Sequence, residues 1–218
     1  MTKRLPGTTV EADLRRPDAA DALLSPLFLT GGLMLSQVSQ LTGLEAHTIQ
    51  NWVKRGFLAP PERKKYSRRQ FCRILIINML KDVLQLEKIC ALLSYVNGQL
   101  DDESDDLVDD SYLYSCAVRL IGLMDSNPAA EEAEVDAWCG HVLSDYGEPA
   151  PGARERVKAV LRVILTAYLA ADRKREAEAP LARLNGGEKP VENSNNRWYF
   201  IGKGGSGHGR LVGELDPV

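Results

Sequence analysis

Residues 35–73 read LSQVSQLTGLEAHTIQNWVKRGFLAPPERKKYSRRQFCR, and the spacing within them decides the fold. Ser36 is a residue type that caps helix N-termini; Val38, Leu41 and Leu44 then supply one apolar face, and Gly43 offers the left-handed position at which a helix of two turns ends. A second helix is predicted over residues 45–54, where Ile49, Trp52 and Val53 fall on the core-facing side. His47, Thr48, Gln50, Asn51 and Lys54 are left to point elsewhere. Arg55-Gly56 closes it, Phe57 and Leu58 return the chain to the core, and Pro60-Pro61 stiffen the turn into a cationic piece, residues 62–66, with the makings of a small hairpin or wing.

Working outward, Ser67 and Gln70 make a capping box for a helix that is apolar nearly all round (Phe71, Ile74, Leu75, Ile77, Met79, Leu80, Val83, Leu84), the pattern of a central buried helix. A further helix is predicted over residues 85–97, closed by Asn97-Gly98. Upstream, residues 1–17 show no apolar period and read as a loose arm, and a short helix is predicted over 18–29. Downstream, helices are predicted over 111–124, 129–145 and 153–178; the last carries a stripe of Val157, Val160, Leu161, Ile164, Leu165 and Tyr168. From residue 185 the composition turns to Gly, Asn and Ser around Trp198-Tyr199-Phe200-Ile201, a candidate strand or docked tail. The expected division is an arm at 1–17, a head at 18–98, an acidic linker at 99–110, a helical body at 111–184 and a Gly-rich tail at 185–218.

The chain has 218 residues and a net charge of −3, a sum that conceals an asymmetry. Lys54, Arg55, Arg63, Lys64, Lys65, Arg68, Arg69 and Arg73 face a single acid, Glu62, within residues 47–73, whereas Asp101, Asp102, Glu103, Asp105, Asp106, Asp109 and Asp110 cluster with no cation within 99–110. A basic island in an acidic chain points to a polyanionic partner, set against the plainer reading of a solvated face. Cys72, Cys90, Cys116 and Cys139 are far apart with no Cys-x-x-Cys, so they read as small buried hydrophobes in a reducing compartment rather than metal ligands. The apolar run near residues 23–35 is broken by Ser25, Pro26, Thr30, Gly31 and Gly32, too short to span a bilayer, and no leader pattern precedes it; a cytoplasmic location without membrane contact is expected.

Leu41-Thr42-Gly43-Leu44, Thr48-Ile49, Asn51-Trp52-Val53-Lys54, Gly56-Phe57-Leu58, Lys65-Tyr66-Ser67 and Leu80 to Leu84 with Leu86 to Ile89 resemble the MerR-like winged helix-turn-helix head. They more closely resemble a bacterial family known only as a domain of unknown function with such a head, over residues 35–97. The resemblance implies a winged helix-turn-helix head on double-stranded DNA; joined to the helices predicted downstream, it gives the expected all-α fold of a head followed by a small helical bundle, and a homodimer is expected. This chain has Gln50 and Asn51 where such heads show an arginine and a tyrosine; its wing is shorter, and the sensing cysteines and long dimerising coiled coil are absent. Base preference, metal sensing and that mode of dimerisation are therefore not carried over.

The expected function is sequence-specific DNA binding by a bacterial transcription regulator. A helix-turn-helix puts the start of its second helix against base edges in the major groove, so His47, Thr48, Gln50 and Asn51 are the candidate base contacts. Thr48 packed under the turn and a merely solvated Asn51 are the plain alternatives. Lys54, Arg55, Arg63, Lys64, Lys65, Arg68 and Arg69 are candidate phosphate contacts, and Tyr66 either lends its hydroxyl to a phosphate or closes the wing on the core. Trp52 reads as core. The competing function is a protein-interaction or ligand-sensing helical module whose head grips a partner protein. The acidic run lacks calcium-loop spacing and reads as a solvated linker whose last acids favour the next helix start. Gly202 to Gly209 imitates a phosphate loop but has no lysine after its last glycine and no helix to follow. Cys139 and His141 lack ligand spacing. No cofactor is implied and no catalytic constellation is visible, so an enzyme is not expected.

Overall fold

The computed structural model describes residues 2–100 and 102–184 together with the strand residues 191–193 and 197–199. The fold is mostly helical, with eight α-helices among these residues and short two-stranded ribbons. Met1–Arg175 packs as one unit, and Glu176–Val218 is a second. In the first, β1 (Lys3–Arg4) and β2 (Glu11–Ala12) pair antiparallel, and α1 is Ala19–Leu27. Then come β3 (Leu33–Met34), α2 (Leu35–Thr42), α3 (Ala46–Lys54) and β4 (Lys65–Tyr66). Next are α4 (Arg68–Leu80), α5 (Leu86–Asn97), a 3-10 turn at Glu103–Asp105, α6 (Asp110–Ser126), α7 (Glu132–Val142) and the start of α8 (Ala153–Leu184). The second unit holds the end of α8, including Pro180, and β5 (Val191–Asn193) paired antiparallel with β6 (Arg197–Tyr199). The phosphate-loop imitation at 202–209 lies outside the described residues.

The core is built on α4. Ser67 Oγ accepts the Gln70 N–H at 3.2 Å while Gln70 Oε1 accepts the Ser67 N–H at 2.9 Å, the reciprocal cap the sequence predicts. Phe71, Cys72, Leu75, Ile76 and Leu80 are buried on every side of the helix, and α6 lies against it with Leu113, Tyr114, Val118 and Ile121. The α8 stripe from Val157 to Leu165 joins the same core. The three buried cysteines follow from this packing, and burial pushes the Cys72 thiol up to about 12 and the Cys116 thiol up to about 11. No helix among the described residues is long and apolar enough to cross a membrane.

Two segments depart from the expected division. Of the expected loose arm at 1–17, residues 2–17 form an anchored ribbon: Leu5 and Leu14 are buried, the Tyr114 hydroxyl donates to Pro6 O at 2.7 Å, Asn78 Nδ2 donates to Gly7 O at 2.9 Å, and Thr9 N–H donates to Leu41 O at 2.8 Å. Two isolated leucines leave no periodicity to read, because the partners that hold them come from α2, α4 and α6. The acidic segment likewise folds into the unit. Val108 and Asp110 are buried, Leu107 N–H donates to Val96 O at 2.8 Å, and Asp109 caps α6 through the Ser111 N–H at 2.7 Å, the expected role for the last acids of the run.

The ribbon leaves a sharp mutational signature. A Cβ at Gly122 would sit 2.0 Å from Leu14 O and 2.9 Å from Leu14 C, both backbone atoms. Gly122→Ala is therefore expected to destabilise the chain by about 1–3 kcal/mol, read as a fall in the unfolding midpoint of roughly 2–4 °C per kcal/mol. An unchanged midpoint would show that the ribbon does not pack on α6 in solution.

Candidate nucleic-acid interface

Two short helices and a cationic turn make the site. At the end of α2 the Thr42 hydroxyl, itself buried, donates to Val38 O at 2.7 Å and accepts the Leu44 N–H at 3.2 Å, and Gly43 takes φ 72°. Only a residue without a Cβ adopts that angle freely, and it turns the chain straight into α3. The first helix starts one residue before the predicted cap: Met34 is the N-cap, and its N–H donates to Gln37 Oε1 at 2.8 Å, because β3 feeds directly into the helix. Ser36 lies inside the first turn.

Helix α3 has nine residues, too few to be stable in water alone. It is held by Ile49 and Trp52, both buried, and a fully buried isoleucine is worth about 1.5–3 kcal/mol of transfer energy. Trp52 is core, as its spacing implies. At 3.6 residues per turn the opposite face carries His47, Gln50, Asn51 and Lys54, all exposed, with Thr48 half-buried on the flank. Three of the four candidate base contacts thus share one open face with a lysine, and Thr48 sits at its edge.

The cationic piece closes on itself. Glu62 pairs with Lys65, whose N–H donates to Glu62 O at 2.8 Å, and the two central residues, Arg63 (φ 47°) and Lys64 (φ 65°), both lie in the left-handed region. This is the geometry of a type I′ turn, normally built from Asn-Gly, and two long cationic side chains there carry a backbone cost on the order of 1 kcal/mol each. Nothing in the residue types of Pro-Glu-Arg-Lys-Lys signals it. β4 then pairs not with a neighbour but with β3: Leu33 faces Tyr66 and Met34 faces Lys65. That pairing fixes the turn beside α3, and a groove of about 690 Å³ between them has Gln50, Lys54 and Lys64 among its walls above Met34, Val53 and Pro61.

The candidate phosphate contacts separate into two groups. Lys54, Arg63 and Lys64 are exposed and make no ion pair among the described residues; Lys65 is exposed and its Nζ donates to Thr30 O at 3.3 Å. The others are engaged within the fold. Arg55 pairs with Glu87 at 2.5 Å and stacks 4.5 Å over the Phe57 ring. Arg68 pairs with Asp21 and donates to Ser25 Oγ at 3.2 Å, tying α4 to α1. Arg69 pairs with Asp106, and Arg73 is buried, donating to Phe57 O at 3.2 Å and pairing with Asp110 at 3.4 Å. Tyr66 is 2% exposed and burial raises its hydroxyl pKa, so it closes the hairpin on the core and does not present itself to a phosphate. Periodicity could not have sorted these, since every acid that claims an arginine comes from a distant part of the chain.

With that geometry in place, residues 31–116 match the family described as Domain of unknown function (DUF1836). The match begins at the glycines before β3 and runs past the head into α6, so it takes in both the cationic turn and the acids paired with Arg69 and Arg73. The uncharacterized protein YkrK of Bacillus subtilis (strain 168) is 39% identical over 91 residues, which cover 39% of this chain and 39% of the relative. The chain thus spans well under half the length of the curated relative it matches. No solved structure matches it.

Proposed function

We propose that this chain is a cytoplasmic DNA-binding transcription regulator, a winged helix-turn-helix protein in which α3 enters the major groove and the turn at residues 62–66 grips the backbone as a wing. The observation that carries the reading is the single open face of α3, with His47, Gln50, Asn51 and Lys54 exposed opposite buried Ile49 and Trp52, flanked by a turn whose tip offers only cations. Gln50 and Asn51 suit the adenine edge, where one side chain both donates and accepts; each bidentate pair discriminates by roughly 1–3 kcal/mol. Lys54, Arg63 and Lys64 suit phosphates, which position the protein without reading sequence. Arg68 and Arg69, already committed to Asp21 and Asp106, have a fold-building role in this reading. The backbone strain at Arg63 and Lys64 is retained at a place where it aims two charges outward, as strain at working sites tends to be.

One nine-residue helix reads few base pairs, and proteins of this type reach useful specificity by pairing two copies on half-sites about one helical turn apart. The proposed bound state is therefore a homodimer on an inverted repeat. Selection of bound duplexes from a random pool tests both points: the expected result is an enriched inverted repeat, with Gln50→Ala and Asn51→Ala each relaxing one position of the half-site. Recovery of a pool no different from the input, with folded protein, would contradict the proposal.

A further inference from the structure

We propose that the cleft on the α4 side of the cationic turn is a binding site for a small organic phosphate that also carries an N–H donor. The cleft has a volume of about 1050 Å³, in the size class of metabolite pockets. One wall is the turn, with Arg63 and Lys65; another is the first turn of α4, with Arg68 and Arg69. Its closed end holds Arg73, Asn97 and Asp110, which are 5%, 3% and 1% exposed.

Two orphaned atoms define what the cleft takes. The Arg68 Nε–H is buried with no protein acceptor, and Asn97 Oδ1 is buried with no protein donor. The Asn97 amide is oriented by Asp110, whose Oδ1 accepts Asn97 Nδ2 at 2.9 Å, so the oxygen is left over. Buried polar groups are almost always bonded, and a donor and an acceptor orphaned in one cleft call for a ligand that supplies both complements. The acceptor it supplies is an anion: Arg63 and Lys65 line the cleft with no ion pair among the described residues, and beside them Arg68, Arg69 and Arg73 already balance Asp21, Asp106 and Asp110, which leaves Glu62 as the one lining carboxylate without such a partner. Phosphate fits better than a planar carboxylate. The cap of α4 satisfies the Gln70 N–H, whereas the N–H groups of Arg68 and Arg69 precede any carbonyl partner within the helix, and a helix start of this kind receives a tetrahedral anion. Phe28, Leu58 and Pro60 provide apolar wall for the organic part.

The cleft shares Arg63 with the proposed wing, so occupancy is expected to change duplex affinity; that consequence rests on the DNA reading, whereas binding in the cleft does not. The test uses the full chain without DNA. Titration calorimetry and amide NMR are run with adenosine monophosphate, which has both a phosphate and an amino donor, with inorganic phosphate, and with adenosine. The expected result is one molecule of adenosine monophosphate per chain, displaced by inorganic phosphate, with adenosine at least about tenfold weaker. Amide shifts should centre on Gly31, Gly32, Arg68 and Asn97. The double variant Lys65→Gln/Arg68→Gln should weaken the nucleotide by about tenfold or more. Should that variant fail to fold, the displacement and the shift map of the unaltered chain decide the matter. Absence of heat and shifts up to about 10 mM of either anion would overturn the proposal. So would an affinity unchanged in the folded double variant, or shifts confined to α3 and Lys64, which would place the anion on the proposed DNA face. DNA binding that survives a negative result here leaves the regulator reading standing and removes only the cleft.

Discussion

Reversing both charges at the tip of the turn, with Arg63→Glu and Lys64→Glu, is expected to abolish tight duplex binding while leaving the fold intact. Both side chains are exposed and make no ion pair among the described residues, so their replacement breaks none, and such surface changes usually move stability by no more than about 0.5 kcal/mol. Each phosphate contact contributes about 0.9 to the slope of log K against log salt, so the pair should flatten that slope by roughly 2 for each bound copy. The loss should be the same for every duplex, because phosphate contacts carry no sequence information. Gln50→Ala should behave in the opposite way, leaving the slope intact and costing discrimination at one position. Electrophoretic mobility shift at several salt concentrations separates the two outcomes.

The second large effect concerns stability. Asp110→Ala is expected to cost about 3–5 kcal/mol, a sizeable part of the 5–15 kcal/mol typical of a folded domain. Asp110 receives Arg73 at 3.4 Å and Arg69 at 4.0 Å, and without it Arg73, 5% exposed in the fold, keeps among the described residues the Phe57 carbonyl alone. The cost comes from stranding that guanidinium rather than from the intrinsic worth of the pair. Burial is the largest influence on Asp110 and raises its carboxyl pKa, with Arg73 and then Arg69 opposing it. The sign follows. A carboxyl raised on folding contributes stability that is full below the unfolded value of about 3.9 and is lost as pH rises through the folded value. Urea unfolding at neutral pH should show the loss for Asp110→Ala and partial recovery for Arg73→Met/Asp110→Ala, in which neither charge of this pair is left stranded. A single variant within about 1 kcal/mol of the unaltered chain would refute this account of the pair.

The helices were legible because their signals are local. The capping box at Ser67 and Gln70, the stop at Gly43 and the 3.6-residue spacing of Ile49 and Trp52 each require only a few neighbouring residues, and the open face of α3 follows from the same spacing. What was hidden depends on partners far along the chain. The pairing of β3 with β4 joins residues some thirty positions apart, and the anchoring of Leu5 needs α4 and α6. The basic island looked uniform, yet Asp21, Asp106 and Glu87 withdraw Arg68, Arg69 and Arg55 from it. A two-residue left-handed turn made of Arg63 and Lys64 breaks the usual residue preference, so no turn signature could have announced it. The candidate site therefore contracts from a broad cationic stretch to His47, Gln50, Asn51, Lys54, Arg63 and Lys64, with Lys65 and Thr48 at its margins.

Titration of the folded full chain with duplexes drawn from the region around its own gene, across a series of salt concentrations, should show binding at low salt with a linear fall of log K against log salt, with a slope of about 3 for each bound copy from Lys54, Arg63 and Lys64, and so about 5 for the proposed pair of copies. No binding to any duplex at low salt, or binding whose affinity ignores salt and survives Arg63→Glu/Lys64→Glu, would contradict the proposed DNA-binding function.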